Sequence, residues 1–377
     1  MNEVTKVLFV INSLSIGGAE RVFSTLLSQI NHDDFDVTLA VGVKTDGFLT
    51  EIPEAIKVVE LGGSKRAVKS FIPLLKLIYT LKPDIVISTL GMIASSSLCS
   101  LFVSGKIRFI ARFGNTVSAD LYRSKRESYF KYLFQFLSYK LVVNRSEIVT
   151  QSQYMKNDLV DLFKIKKPEK ISVIYNPTPK ENVNVPQLRW KEGDPIKFIT
   201  VGRFAWQKGY DILIESLYML TLDNDNFEFH FIGGGDPKER LIVEKKVREY
   251  QLSNKVFFHG EQASPYDVVD DANIFVSSSR FEGFANVFLE SIARGIPVVA
   301  TDCPSGNREI IHDGVNGWLT EQNGTLPKAE EIKDTLLIAI NSYQYIERKR
   351  ISKDIYEKFS VKAIVNQFEA LFLRGQK

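Results

Sequence analysis

Cysteine is scarce: Cys99 and Cys303 are the only two in 377 residues, far apart and in no metal-ligand spacing. That excludes a disulfide scaffold and a cysteine-held zinc site, and it favours a reducing compartment. No window of about eighteen uncharged apolar residues occurs, so a spanning helix is not expected. The first apolar run, Lys6-Val7-Leu8-Phe9-Val10-Ile11, begins almost at once. It lacks the basic start, longer apolar stretch and small-residue cleavage site of a secretory peptide, so a cytoplasmic protein is expected.

What is present is ordinary in amount and uneven in distribution. Hydrophobic residues make up 44% and charged residues 25% of the chain, as in soluble globular proteins. The length suggests two or three domains able to bury sizeable cores. Residues 1–180 hold 24 Lys and Arg against 16 Asp and Glu, a balance of +8. The remainder holds 24 against 29, a balance of −5. A basic first half suggests an anionic partner: a membrane surface, a lipid diphosphate or a nucleic acid.

Short apolar strands alternate with helical stretches. Strands are predicted over 6–11, 37–41, 85–89, 107–111, 148–150 and 171–175, and helices around 19–30, 68–81, 127–141 and 153–163. Near-continuous apolar strands separated by helices imply parallel sheets covered on both faces. The pattern breaks at Asn176-Pro177-Thr178-Pro179-Lys180-Glu181-Asn182, read as an interdomain linker. It restarts with strands at 196–201, 228–232, 256–258, 274–277 and 297–300, and closes on a helical tail over 351–373. Two such sheets predict a cleft lined by loops that follow the carboxyl ends of strands.

Four such loops carry chemistry. The first contains Gly17-Gly18 and opens a helix, where backbone amides suit a phosphate; the third glycine of a dinucleotide fingerprint is absent. The second runs Val201-Gly202-Arg203-Phe204-Ala205-Trp206-Gln207-Lys208-Gly209. Arg203 and Lys208 bracket a turn into a helix beginning near Tyr210, and two cations plus a helix start can neutralise a diphosphate leaving group without a metal ion. The third, Gly233-Gly234-Gly235-Asp236, suits close backbone approach to a nucleotide, with Gly234 at its centre. The fourth, from Ser279 to Glu290, contains Glu282, Gly283, Phe284, Ala285, Asn286 and Val287. Its helix start offers amides to an anion, while Glu282 and Glu290 can accept hydrogen bonds from sugar and ribose hydroxyls.

The Gly-Arg…Lys-Gly turn, the Glu-Gly-Phe loop and the seven residues between Glu282 and Glu290 resemble the retaining glycosyltransferases of the GT-B fold, family 4. The resemblance covers nearly the whole chain. It implies an α/β architecture of two Rossmann-like parallel-sheet domains facing a cleft: 1–178 on the acceptor side, 179–350 holding the donor, and 351–377 as a helix crossing back to the first domain. It further implies that Arg203 and Lys208 hold the donor diphosphate, Glu282 the donor sugar and Glu290 the ribose, with Gly17 beside the phosphates. The segment from Asp302 to Ile311 is similar to the loop of members that act on cell-surface glycans. A uridine-diphosphate sugar is then the substrate, a saccharide or polyprenyl-linked chain the acceptor, and no cofactor or metal is required.

One departure stands out. Many relatives carry a histidine after the strand that here is 107–111, whereas this chain has Arg112-Phe113-Gly114-Asn115. A histidine base is therefore not expected, and a front-face mechanism, in which the leaving phosphate takes the acceptor proton, needs none. Asp34-Phe35-Asp36 and Asp223-Asn224-Asp225 precede strands, away from the loops above, so no metal role is assigned to them. The segment from Tyr122 to Lys140 is basic, aromatic and read as helical, suited to an anionic membrane interface; the competing reading packs its aromatics inward. No nucleic-acid-binding motif is recognised. The alternatives to sugar transfer are a sugar-nucleotide epimerase on the same fold, which needs further acid/base groups, and a non-catalytic sugar-nucleotide-binding protein, which would not need Lys208 or Glu282.

Overall fold

The computed structural model describes residues 4–15, 17–45, 47, 51–63, 67–103, 105–178, 185, 191, 193–320 and 326–374. The chain forms two compact units, Met1–Pro177 with Val361–Lys377, and Thr178–Ser360.

The first unit contains β1 (Thr5–Ile11), α1 (Gly18–Gln29), β2 (Phe35–Val41), β3 (Lys57–Glu60), α2 (Phe71–Leu81), β4 (Ile85–Thr89), α3 (Met92–Cys99), β5 (Arg108–Arg112), α4 (Val117–Glu127), α5 (Tyr129–Arg145), β6 (Glu147–Thr150), α6 (Gln153–Phe163) and β7 (Ile171–Val173). Its seven parallel strands lie in the order β3-β2-β1-β4-β5-β6-β7. β1 is buried at every position but Lys6, as a strand covered on both faces must be. Local signals set several ends. Ser152 caps α6 by accepting from the Met155 amide at 3.1 Å, and Lys82 turns left-handed to end α2 just before Pro83, which cannot continue a helix.

The second unit contains β8 (Ile196–Val201), α7 (Tyr210–Thr221), β9 (Phe227–Ile232), α8 (Pro237–Glu249), β10 (Val256–Phe258), β11 (Ile274–Ser277), α9 (Asn286–Ala293), β12 (Val298–Ala300), α10 (Asn307–Ile310), β13 (Gly317–Leu319), α11 (Ala329–Ser342) and α12 (Arg348–Phe359). Six parallel strands follow the order β10-β9-β8-β11-β12-β13. The last helix, α13 (Val361–Phe372), belongs to the first unit. Its Ile364, Val365, Phe368, Leu371 and Phe372 complete the core on one face of the first sheet.

Three expectations are corrected. The tail is two helices, because Ser360 leaves helical geometry with ψ 145°; α12 stays with the second unit and only α13 joins the first. The basic aromatic stretch is likewise two helices, since Ser128 is extended between α4 and α5. Asn176, assigned to the linker, is buried within the first unit, while residues 179–182 lie outside those described. Among the described residues, no helix is long and apolar enough to cross a membrane.

Candidate functional site

In each sheet the strand order reverses direction once, between β1 and β4 and between β8 and β11. Loops leaving two such strands diverge to opposite faces and leave a crevice at their carboxyl ends. In the second unit, the loops after β8 and β11 carry the predicted cations and carboxylate, and the fold brings them together.

Lys208 Nζ lies 2.7 Å from Glu282 Oε1. Ser279 Oγ donates to the same oxygen at 2.7 Å, and Gln207 Nε2 reaches Glu282 Oε2 at 3.4 Å. Glu282 is only 8% exposed, so its charge needs these donors. Burial pulls the Lys208 ammonium down, but the Glu282 carboxylate and the Tyr210 hydroxyl outweigh it, and its pKa is raised overall. Lys208 is therefore a fixed positive charge. Arg203 is exposed on the same loop, near enough to act against the Lys208 charge.

The loop's shape is enforced. Gly209 has φ +64°, and a Cβ there would stand 2.2 Å from the Ser278 carbonyl oxygen. Ser278 Oγ in turn donates to the Lys208 carbonyl at 2.8 Å. Arg280 clamps the other side: its guanidinium donates to the Trp206 carbonyl and to Asp211 Oδ2 at 2.7 Å. It also lies 4.7 Å from the Trp206 ring centroid. The sequence assigns Arg280 no role, although it lies within the Ser279–Glu290 loop; its partners are 69 and 74 residues away and carry no sequence signal. Gly209→Ala should cost more than the roughly 1–2 kcal/mol of a left-handed residue, because the clash is with backbone. Thermal unfolding should show a clear drop, with turnover falling alongside; an unchanged melting temperature would contradict this loop geometry.

The other predicted residues are placed as follows. Gly202 leaves room for Lys208, since a Cβ there would lie 3.3 Å from Lys208 Cε and 2.8 Å from Tyr210 Oη. Gly234 is flanked by the two glycines that the backbone demands. Gly233 (φ +145°) would clash with Gly202 O at 2.1 Å, and Gly235 (φ +128°) with Phe204 N at 2.4 Å. The triplet thus packs this loop against the 202–204 turn. Gly283, Phe284 and Ala285 are buried, and α9 opens at Asn286 and Val287, which places the positive end of its dipole at this loop. Glu290 is buried one turn on. Gly17 and Gly18 stand in the first unit at the start of α1. Gly17 is extended, not left-handed, and a Cβ there would meet only the movable carboxylate end of Glu20, so the backbone itself does not demand glycine.

Arg112, the first residue of the Arg112–Asn115 segment, is fully buried at the end of β5. It donates to Asn176 Oδ1 and, at 3.4 Å, to Thr89 Oγ1. Burial lowers its pKa to about 10 against the opposing pull of Glu20, so it stays charged. Both thiols are poor nucleophiles, since burial pushes Cys99 and Cys303 up to about 12. Three of the four histidines are engaged in other contacts: His230 and His259 bond each other at 3.0 Å, and His32 bonds the Leu27 carbonyl. Asp223 and Asp225 pair with Lys333 and Lys255 at 3.2 and 3.1 Å.

Residues 184–358 match the family profile described as Glycosyl transferases group 1, and residues 16–181 that of Glycosyltransferase Family 4. A Campylobacter jejuni N-acetylgalactosamine-N,N'-diacetylbacillosaminyl-diphospho-undecaprenol 4-alpha-N-acetylgalactosaminyltransferase is 31% identical over 320 residues, covering 82% of this chain and 84% of the relative. The chain belongs to the family 4 glycosyltransferases of the GT-B fold. A Salmonella typhimurium lipopolysaccharide 1,6-galactosyltransferase is 34% identical over a shorter stretch, 40% of this chain and 41% of that one. Among solved structures, the lipopolysaccharide outer core galactosyltransferase WaaB superposes with TM-score 0.76 at 20% identity, covering 97% of this chain and 98% of that one. Anabaena HepE in complex with UDP-glucose superposes with TM-score 0.77 at 17% identity, covering 97% and 98%. These two share the fold. This glycosyltransferase holds a fixed cation against a buried carboxylate in the switch-point loops of its second unit.

Proposed function

We propose that this glycosyltransferase moves a hexose or N-acetylhexosamine from a UDP-sugar to a lipid-linked or polysaccharide acceptor, in the cytoplasm, during cell-surface glycan synthesis. Transfer proceeds with retention and without a metal ion. The observation that carries the reading is the Lys208–Glu282 pair at the switch point of the second sheet, beside Arg203 and the first turn of α9.

An ammonium has three N–H donors, and the bond to Glu282 uses one. The others, with the Arg203 guanidinium and the positive end of the α9 dipole, suit diphosphate oxygens, where negative charge grows as the sugar C1–O bond breaks. Glu282 accepts from donor-sugar hydroxyls and Glu290 from the ribose. The acceptor oxygen bonds to C1 on the face the phosphate leaves, and its proton passes to the leaving phosphate oxygen. No histidine base is needed. The C. jejuni relative, whose name specifies a diphospho-undecaprenol acceptor, and the UDP-glucose bound to HepE support this choice of acceptor and donor classes.

The test is a panel of UDP-sugars with short saccharide acceptors in excess EDTA, scored for released UDP, with the product anomer assigned by NMR. Turnover should persist, and the product should keep the donor's anomeric configuration. Loss restored by manganese or magnesium would remove the metal-free claim, and an inverted product would remove the front-face mechanism.

A further inference from the structure

Helix α5 carries two apolar faces, and the protein covers one. On the inner side Val142 is buried, Tyr139 meets Phe113 at 5.7 Å between ring centroids, and Phe136 meets Phe163 at 5.5 Å. On the outer side Phe130 is 83% exposed, Phe134 68%, Leu137 55% and Leu133 40%. Positions 130, 134 and 137 are one stripe by helical spacing. Lys131 and Lys140, roughly 100° and 80° to either side at 3.6 residues per turn, edge it with positive charge.

The surroundings extend the pattern. Between Leu121 and Arg145 the chain has six Lys and Arg and one acidic residue, Glu127, which pairs with Lys131. At the far end of α5, Arg145 binds Ser100, next to Leu101 and Phe102, themselves about half exposed. Exposed phenylalanines in such a run mark an interaction surface.

The geometry points to the outer face of α5 as a docking surface for an anionic lipid bilayer. Phe130, Leu133, Phe134 and Leu137 enter the boundary between headgroups and acyl chains. Lys131 and Lys140, with Lys125 and Arg126 from α4, remain level with the lipid phosphates. Charge selects this occupant over a second copy of the chain, because a two-fold contact across the stripe would set the same cations against themselves. The surface lies wholly in the first unit, and the sugar-transfer reading does not depend on it.

Flotation of the full-length protein with vesicles decides the matter. Vesicles of phosphatidylcholine with phosphatidylglycerol should bind reversibly and lose protein in high salt, while pure phosphatidylcholine should bind little. Lys131→Gln with Lys140→Gln should weaken binding about tenfold and flatten the salt dependence. Phe130→Ser with Phe134→Ser should weaken it by about tenfold or more at low salt. Both double variants change exposed positions and should keep the melting temperature and the turnover on a soluble acceptor. Equal binding to both vesicle types, or phenylalanine variants that bind as the parent does, would overturn the proposal. So would a concentration-dependent dimer in sedimentation that the phenylalanine substitutions abolish, since the stripe would then belong to a second copy.

Discussion

Lys208→Ala is expected to lower turnover by about two to three orders of magnitude, the effect of removing one charge-stabilising donor from a developing oxyanion. The structure adds a second expectation. Lys208 is the cationic partner bonded to a Glu282 that is 8% exposed, and breaking a buried pair by deleting one member costs about 3–5 kcal/mol in stability. The alanine variant should therefore melt earlier as well as react slowly. Lys208→Met combined with Glu282→Gln separates the two effects, because neither side chain then leaves a buried charge unpaired. That double variant should recover most of the melting temperature and none of the turnover. Near-parental turnover in either folded variant would withdraw Lys208 from the chemistry, and a shared recovery of both properties would make its role purely structural.

Ending the chain at Ser360 is expected to unfold the first unit. The lost helix, α13, buries Ile364, Val365, Phe368, Leu371 and Phe372 in that unit's core. Phe372 meets the rings of Phe9 on β1 and Phe35 on β2 at 6.1 and 5.8 Å. Arg108 closes the helix end by donating to the Phe372 and Leu371 carbonyls at 2.8 and 2.9 Å, and Glu147 at 2.7 Å holds the guanidinium in place. Burying five such side chains contributes about 8–15 kcal/mol as an upper bound, as much as the whole stability of a typical domain. Hydrogen exchange on the truncated chain should show β1 and β2 unprotected while β8 and β11 keep their protection. Phe372→Ala in the full chain should cost about 3–5 kcal/mol. Protected β1 amides without α13 would mean that the helix is an accessory and not part of the core.

Strand positions and the two-sheet alternation were legible because a doubly covered strand is rich in apolar residues, as 196–201 is at Ile196, Phe198, Ile199 and Val201 and 274–277 is at Ile274, Phe275 and Val276. β3 was not, since Lys57 and Glu60 bracket only two half-buried valines. Nor was α3, whose serines carry no helical period although three of them are buried. The break at Ser360 has no sequence signal because apolar residues continue at helical spacing across it; the extended Ser360 backbone and the packing of α13 into the first unit's core assign α12 and α13 to different units.

The sequence by itself determined the kind of chemistry: which loops follow strands, that Arg203 and Lys208 share one of them, and that Glu282 and Glu290 share another. Periodicity and residue type are local properties, and they survive without coordinates. Only the tertiary structure decided that the Lys208 ammonium meets the Glu282 carboxylate 74 residues away, that Arg280 clamps the loop between them, and that α5 turns one apolar face inward and leaves the other bare. Those facts depend on which strands become neighbours and which helix face the sheet has room to cover, and a one-dimensional pattern does not contain them.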